Sequence, residues 1–213
     1  MVYSHVDNKG ISLESKLASI FGNKQNGFFI ELGANDGLTQ SNTAFFEKKL
    51  GWTGILIEPS EIAYNKCKIN RPNSICLNYA CVSNKYKDEY IYGDFSNDSL
   101  MASIDGIRNN NSNLIKVKAI TLEQILNKYD CKQIDFLSLD TEGYELNILE
   151  GLNLDKHRPK FMLIEIYNKD FDNIIKFLES NHYELHSNIS NYNKIDNPGW
   201  DGTHNDYLFI DKK

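Results

Sequence analysis

The stretch Phe28-Phe29-Ile30-Glu31-Leu32-Gly33-Ala34-Asn35-Asp36-Gly37 constrains this chain more than any other. Apolar residues run into an acid, and the run then breaks on two glycines with polar residues between them. Such a run reads as a buried strand leaving a sheet into a tight turn. Glycine at positions 33 and 37 lets the backbone turn sharply and keeps a Cβ out of the path of a ligand. Over residues 38–50 the spacing turns helical, with Leu38, Phe45, Phe46, Lys49 and Leu50 close to one face. Strand, glycine turn and helix start together predict a nucleotide-binding corner.

The spacing narrows the ligand. A dinucleotide corner wants G-x-G-x-x-G, with the pyrophosphate resting on the helix N-terminus. Here the pattern is Glu-x-Gly-x-x-x-Gly, with Glu31 before the first glycine and Asp36 inside the loop. Two carboxylates repel a pyrophosphate and suit a cationic or zwitterionic ligand. S-adenosyl-L-methionine, which carries a sulfonium and an ammonium, meets that condition. A nucleoside also needs an acid at the end of the next strand to hold its ribose hydroxyls. Gly54-Ile55-Leu56-Ile57-Glu58-Pro59 supplies Glu58, followed by a proline that ends the strand. An NAD-dependent oxidoreductase shares this logic, but the missing middle glycine and the acid in the loop disfavour it. A non-catalytic module that binds S-adenosyl-L-methionine without a competent acceptor site also fits the corner.

Four segments resemble the FkbM-type methyltransferase family: Phe29 to Gly37, Ser41-Asn42-Thr43, the run from Leu50 to Pro59, and Asp135-Phe136-Leu137-Ser138-Leu139-Asp140-Thr141-Glu142-Gly143. The resemblance implies a class I methyltransferase fold. That is a Rossmann-like α/β architecture with a seven-stranded, mostly parallel sheet, an antiparallel edge pair and helices on both faces. It implies an enzyme dependent on S-adenosyl-L-methionine, usually an O-methyltransferase. Carried onto this sequence, Gly33, Ala34, Asn35, Asp36 and Gly37 would cradle the methionine end. Glu31 or Asp36 would meet the ammonium, directly or through water. Asn42 would orient the loop or the ligand's carboxylate, or cap backbone groups. Glu58 with Pro59 would hold the ribose, Ala80 would flank adenine, and Asp140 would stand between cofactor and acceptor. The family's acceptors vary widely, so the implied partner is a small-molecule or glycan hydroxyl of unspecified identity.

Along the rest of the chain, residues 1–10 carry no periodic signal and are expected to wrap the surface or fray. Ser12 is placed to cap a helix bearing Leu13, Leu17, Ile20 and Phe21 on one stripe. Residues 1–24 thus predict a helical cover, and 25–213 the core of a single domain. A helix is expected over 60–69 and a third strand over 74–82. Residues 83–113 hold a short strand at 89–92 and are otherwise rich in Asn, Ser, Asp and Gly, which suggests either an acceptor-binding loop or a mobile insertion. A strand over 114–120 leads into Thr121-Leu122-Glu123-Gln124, a capping box. The strand at 134–139 delivers Asp140, Thr141 and Glu142 at its carboxyl end, where ligands of open α/β sheets bind. A fifth strand over 160–166, a helix, and strands over 183–186 and 207–210 complete the sheet.

Methyl transfer from a sulfonium is an in-line displacement. The acceptor oxygen must be held ~3 Å from the methyl carbon and must lose its proton. Asp140, Glu142, Glu165 and His204 are the candidate bases, and His204 has the intrinsic pKa nearest neutrality. Asp140, Glu142 and Glu165 could instead assemble a divalent metal site. Neither their spacing nor the resemblance requires it, and the expectation is a site without metal.

A net charge of −6 argues against a broad nucleic-acid surface. No apolar run approaches the ~18 residues of a membrane span, and the N-terminus lacks the basic-then-apolar pattern of a signal peptide. Cys67, Cys76, Cys81 and Cys131 form no C-x-x-C pair, which predicts reduced thiols in a cytoplasmic protein. A homo-oligomer is compatible with all of this.

Overall fold

The computed structural model describes residues 2–7, 10–96, 101–104 and 113–213. The element order is α1 (Leu13–Ile20), β1 (Phe28–Leu32), α2 (Ala44–Leu50), β2 (Thr53–Ile57), α3 (Glu61–Asn70), β3 (Ile75–Leu77), β4 (Ala80–Val82) and β5 (Tyr90–Gly93). It continues with β6 (Ile115–Thr121), α4 (Leu122–Lys128), β7 (Ile134–Leu139), α5 (Glu145–Leu149), β8 (Pro159–Tyr167), α6 (Phe171–Ser180), β9 (Tyr183–Asn188) and β10 (His204–Asp211).

Seven strands form the main sheet in the order β3-β2-β1-β7-β8-β10-β9. From β3 to β8 all neighbours are parallel. β10 runs antiparallel to both β8 and β9, which gives the expected antiparallel pair at the edge. Successive side chains of a strand face opposite sides, and the two cores follow that alternation. Ile30, Leu32, Ile55, Ile57, Leu137, Leu139 and Ile164 pack with residues of α4, α5 and α6. Phe29, Leu56, Phe136, Leu163 and Leu208 pack on the other face with Leu13 and Leu17 of α1, Phe46 of α2 and Cys67 of α3. Each such side chain contributes about 1.5–3 kcal/mol by leaving water. Helices therefore cover both faces.

Ser12 caps α1 by accepting the Ser15 N–H, and the capping box at Thr121 and Gln124 forms with both of its bonds. All four cysteines are free thiols. Among the described residues, no helix is long and apolar enough to cross a membrane.

Two elements depart from expectation for local reasons. The helix expected from residue 38 begins only at Ala44. Asp36 Oδ1 accepts the N–H groups of Leu38 at 2.8 Å and Thr39 at 2.7 Å, and Gln40 then turns left-handed at φ +57°. A side chain that captures backbone donors in this way competes with helix formation. Asn42 consequently precedes the helix instead of lying in its first turns.

The strand expected over 74–82 is two strands in two sheets. β3 pairs with β2, but Asn78 Nδ2 then donates to the carbonyls of Glu58 at 2.9 Å and Pro59 at 2.8 Å. These bonds draw the chain across the end of β2. β4 emerges on the far side and pairs with β6 in a separate three-stranded sheet, β4-β6-β5. Within the expected acceptor loop of 83–113, β5 forms as foreseen. Residues 97–100 and 105–112 of that stretch lie outside the described residues.

Candidate active site

A cavity of about 250 Å³ opens where β1, β2 and β7 end, with β4 on one side and β8 and β10 on the other. Gly33 makes its floor possible. Its φ is +76°, and a Cβ there would stand 1.8 Å from the Asp140 carbonyl oxygen. The loop after β1 therefore touches the end of β7 backbone to backbone, which only glycine permits.

Glu58 joins that loop to β2. Its Oε2 accepts the Asn35 N–H at 2.8 Å and its Oε1 accepts the Ser60 N–H at 2.8 Å. Burial nevertheless pushes its carboxyl up to about 7, against the pull of those two bonds. Each oxygen keeps a second lone pair, and Glu58 lines the cavity with Pro59 beside it. Ala80, Tyr79, Cys81, Phe95 and Ile104 give this end an apolar wall.

Beneath the loop lies a network that sequence reading did not foresee. Arg71, at the C-cap of α3, is fully buried. Its Nε donates to Glu47 Oε2 at 2.8 Å, Nη1 to the Gly37 carbonyl at 2.9 Å, and Nη2 to Thr43 Oγ1 at 3.0 Å. Glu31 accepts from Ser41 Oγ, from the Asn42 N–H at 2.9 Å and from Thr43 Oγ1 at 2.6 Å. Asn42 Nδ2 donates to Ser138 Oγ at 3.1 Å. Glu31 and Asn42 thus hold the loop to the sheet. Neither lines the cavity, and neither do Ala34, Asp36 and Gly37. Of the eleven positions assigned to the cofactor from sequence, Gly33, Asn35, Glu58, Pro59, Ala80 and Asp140 line it.

The other end of the cavity is acidic. Asp140, Glu142 and Glu165 each offer a carboxylate oxygen, and the three lie within 4.8 Å of one another. Glu165 also stands directly opposite Asp206 across the β8–β10 ladder. Burial, then the charges of Glu142 and Asp206, hold Asp140 well above the usual carboxylate range. Burial, then Asp140 and Glu142, do the same to Glu165. Burial raises Asp206 to about 6.

Glu142 adopts φ +58°, an uncommon left-handed conformation for a residue with a Cβ, and Tyr167 Oη donates to its Oε2 at 2.5 Å. Such conformations cost about 1–3 kcal/mol and persist where the surroundings enforce them. Glu145 receives the N–H groups of Thr141 at 2.9 Å and Gly143 at 3.1 Å, and so braces this turn. His204 opens β10 and was expected in a loop. Its Nε2 lies 3.4 Å from Glu165 Oε1 and its Nδ1 3.6 Å from Asp201 Oδ1.

The N-terminal segment, expected only to wrap or fray, contributes His5 to the cavity wall. Glu14 anchors it by accepting the N–H groups of Tyr3 at 3.0 Å and Ser4 at 2.9 Å. The His5 ring meets Tyr192 edge-on at 5.5 Å.

The sequence matches a model of the FkbM methyltransferase domain over residues 31–185. No curated protein matches it. Among solved structures, the chain is similar to an S-adenosylmethionine-dependent methyltransferase from Geobacter sulfurreducens in complex with S-adenosyl-L-homocysteine. That likeness has TM-score 0.51 and 8% identity, over 99% of this chain and 94% of the other. It is also similar to Aeropyrum pernix fibrillarin with natively bound S-adenosyl-L-methionine, at TM-score 0.52 and 12% identity, over 88% of this chain and 67% of that one. At such identities the likeness is one of fold.

Proposed function

The chain belongs to the FkbM family of methyltransferases, and on that footing we propose that it transfers the methyl group of S-adenosyl-L-methionine to a hydroxyl of a sugar, glycan or other small molecule. The observation that carries this reading is a single cavity with a ribose-type acid at one end and proton-accepting groups at the other. Glu58 and Pro59 take the ribose, Ala80 flanks adenine, and Gly33 and Asn35 receive the methionine end. Asp140 stands between cofactor and acceptor.

In the reaction, a lone pair of the acceptor oxygen attacks the methyl carbon. The carbon–sulfur bond breaks with its electrons passing to sulfur, which leaves neutral S-adenosyl-L-homocysteine. The acceptor proton goes to His204, whose ring Glu165 Oε1 orients from 3.4 Å.

Thermal unfolding with S-adenosyl-L-homocysteine, S-adenosyl-L-methionine and NAD, each in excess, tests the cofactor. At ~100 times the dissociation constant a native-state ligand adds roughly 2.7 kcal/mol of stability. A shift with the two sulfur compounds alone is expected. A shift with NAD alone would overturn the reading and point to redox chemistry. Mass spectrometry of a panel of hydroxylated sugars and small acids then identifies the acceptor.

A further inference from the structure

We propose that Asp140, Glu142 and Glu165 bind one divalent hard cation, Mg²⁺ or Mn²⁺, at the acceptor end of the cavity. The first observation is geometric. Three carboxylates that arrive from the end of β7, the turn after it and the C-terminal part of β8 bring oxygens within 4.8 Å of one another. Trans ligands of an octahedral Mg²⁺ stand about 4 Å apart and cis ligands about 3 Å, given metal–oxygen distances of 2.0–2.1 Å. Small side-chain rotations close that difference.

The second observation is independent of the clustering. Glu165 is only 7% exposed, and its Oε2 is buried without a hydrogen-bond partner. A buried carboxylate oxygen left unmet costs several times an ordinary hydrogen bond and is rare in native structures. Its other oxygen faces His204, and the residue lines the same cavity as Asp140 and Glu142. Beside the cluster the Tyr192 hydroxyl is also buried with no partner. The charges acting on it are those of Asp206, Asp140 and Glu165. A cation held by the cluster would meet the Glu165 oxygen that has no other partner.

Electrostatics favours the same conclusion. Three carboxyl groups crowd together at Asp140, Glu142 and Glu165, and Asp206 stands opposite Glu165 across the β8–β10 ladder. A divalent ion becomes the largest local charge in such a site and reverses that repulsion. An all-oxygen donor set selects Mg²⁺ or Mn²⁺ over zinc, which prefers nitrogen and sulfur. The bond from Tyr167 to Glu142 fixes one ligand from behind, as second partners of metal ligands commonly do.

The cation's remaining positions face the cavity and would take two adjacent oxygens of the acceptor. The acceptor class is then a vicinal diol or a hydroxy acid. This acceptor assignment rests on the methyltransferase reading, whereas cation binding itself does not.

The test is an electron paramagnetic resonance titration of chelator-treated protein with Mn²⁺, run beside the thermal shift with S-adenosyl-L-homocysteine. One Mn²⁺ per chain is expected, competed by Mg²⁺. Glu165→Gln should weaken it by more than about tenfold. Glu142→Gln, at a less buried position, should weaken it too and serves if the first variant does not fold. No stoichiometric Mn²⁺, or unchanged affinity in a folded variant, overturns the site. A homocysteine shift without Mn²⁺ binding removes the cation alone, and Mn²⁺ binding without that shift removes the methyltransferase reading alone.

Discussion

Arg71 Nη1 donates to the backbone carbonyl of Gly37 at 2.9 Å, so the C-terminus of α3 fastens the loop that follows β1. The same guanidinium lies 3.6 Å from Glu31 and 2.8 Å from Glu47, all three side chains being buried. A buried arginine with two carboxylates gives less stability than its contacts suggest, because each charge lost its water on folding. What it secures is geometry. The guanidinium ties the loop after β1 to α2 and α3.

Removing that guanidinium leaves two buried carboxylates without their shared cation. Arg71→Leu should therefore lose about 3–5 kcal/mol in urea unfolding, and the fraction that folds should bind S-adenosyl-L-homocysteine more weakly. A loss below about 1 kcal/mol, the size of an exposed ion pair, would mean that the network does not hold the loop.

Gly33→Ala and Gly22→Ala separate backbone strain from collision. Both positions have positive φ, +76° and +64°, but a Cβ at residue 22 meets nothing within 4 Å. Gly22→Ala should cost about 1–2 kcal/mol, the left-handed penalty alone. Gly33→Ala must also push away the Asp140 carbonyl. It should lower the melting temperature far more and abolish cofactor binding. Equal shifts would show that the close approach does not matter.

Glu58 gives the unliganded protein a pH dependence of known sign. Its carboxyl is raised from 4.5 to about 7 by burial, so the folded state binds the proton more tightly than the unfolded chain. Stability is then full below 4.5 and falls as pH rises towards 7. The loss is on the order of 3 kcal/mol. Glu58→Gln should make that stretch of the denaturation-midpoint profile shallower, the remaining slope belonging to Asp140, Glu165 and Asp206, and should weaken cofactor binding at every pH. A variant with the wild-type profile would place the titration elsewhere.

His204→Asn should reduce kcat by about 10²–10⁴, the usual contribution of a general base. KM for S-adenosyl-L-methionine should stay close to that of the wild type, because His204 lies at the acceptor end. A rise in that KM with kcat preserved would give the residue a binding role instead.

Chelation tests the cation's part in turnover. Exhaustive EDTA treatment should abolish acceptor methylation while the thermal shift with S-adenosyl-L-homocysteine persists. Full activity after chelation would leave the acidic cluster without a metal role.

Some of this architecture could be read in advance because the signals were local. β1, β2 and β7 are apolar runs ended by glycine or an acid, and the capping box needs only Thr121 and Gln124. Glu58 was placed because a strand end and an acid coincide. Other features depend on partners far along the chain. Leu38 falls in helical phase with Phe45, yet Asp36 takes its N–H and the helix starts later. Nothing local marks Arg71 as buried, since its partners lie in the loop after β1 and in α2. The last strand begins at His204, whereas the apolar pattern starts at Tyr207. That difference turns Asp206 from a loop residue into the cross-strand neighbour of Glu165. The one available clue was an acid on the inward side of the alternation that holds Leu208.

The departure of the chain from the main sheet at Asn78 has a consequence for how the molecule breathes. Glu58 follows the β2–β3 ladder, its N–H donating to the Leu77 carbonyl at 3.0 Å, whereas Ala80 belongs to another ladder. Without a ligand, the small sheet can open as a cooperative unit of its own. A nucleoside that touches both residues would make the two ladders open together. Amide exchange in Ala80–Val82 and in β6 would then slow on binding, although these strands carry no proposed chemistry beyond one small side chain against adenine. Occupancy of the cavity would be readable in the protection of a sheet that takes no part in the reaction.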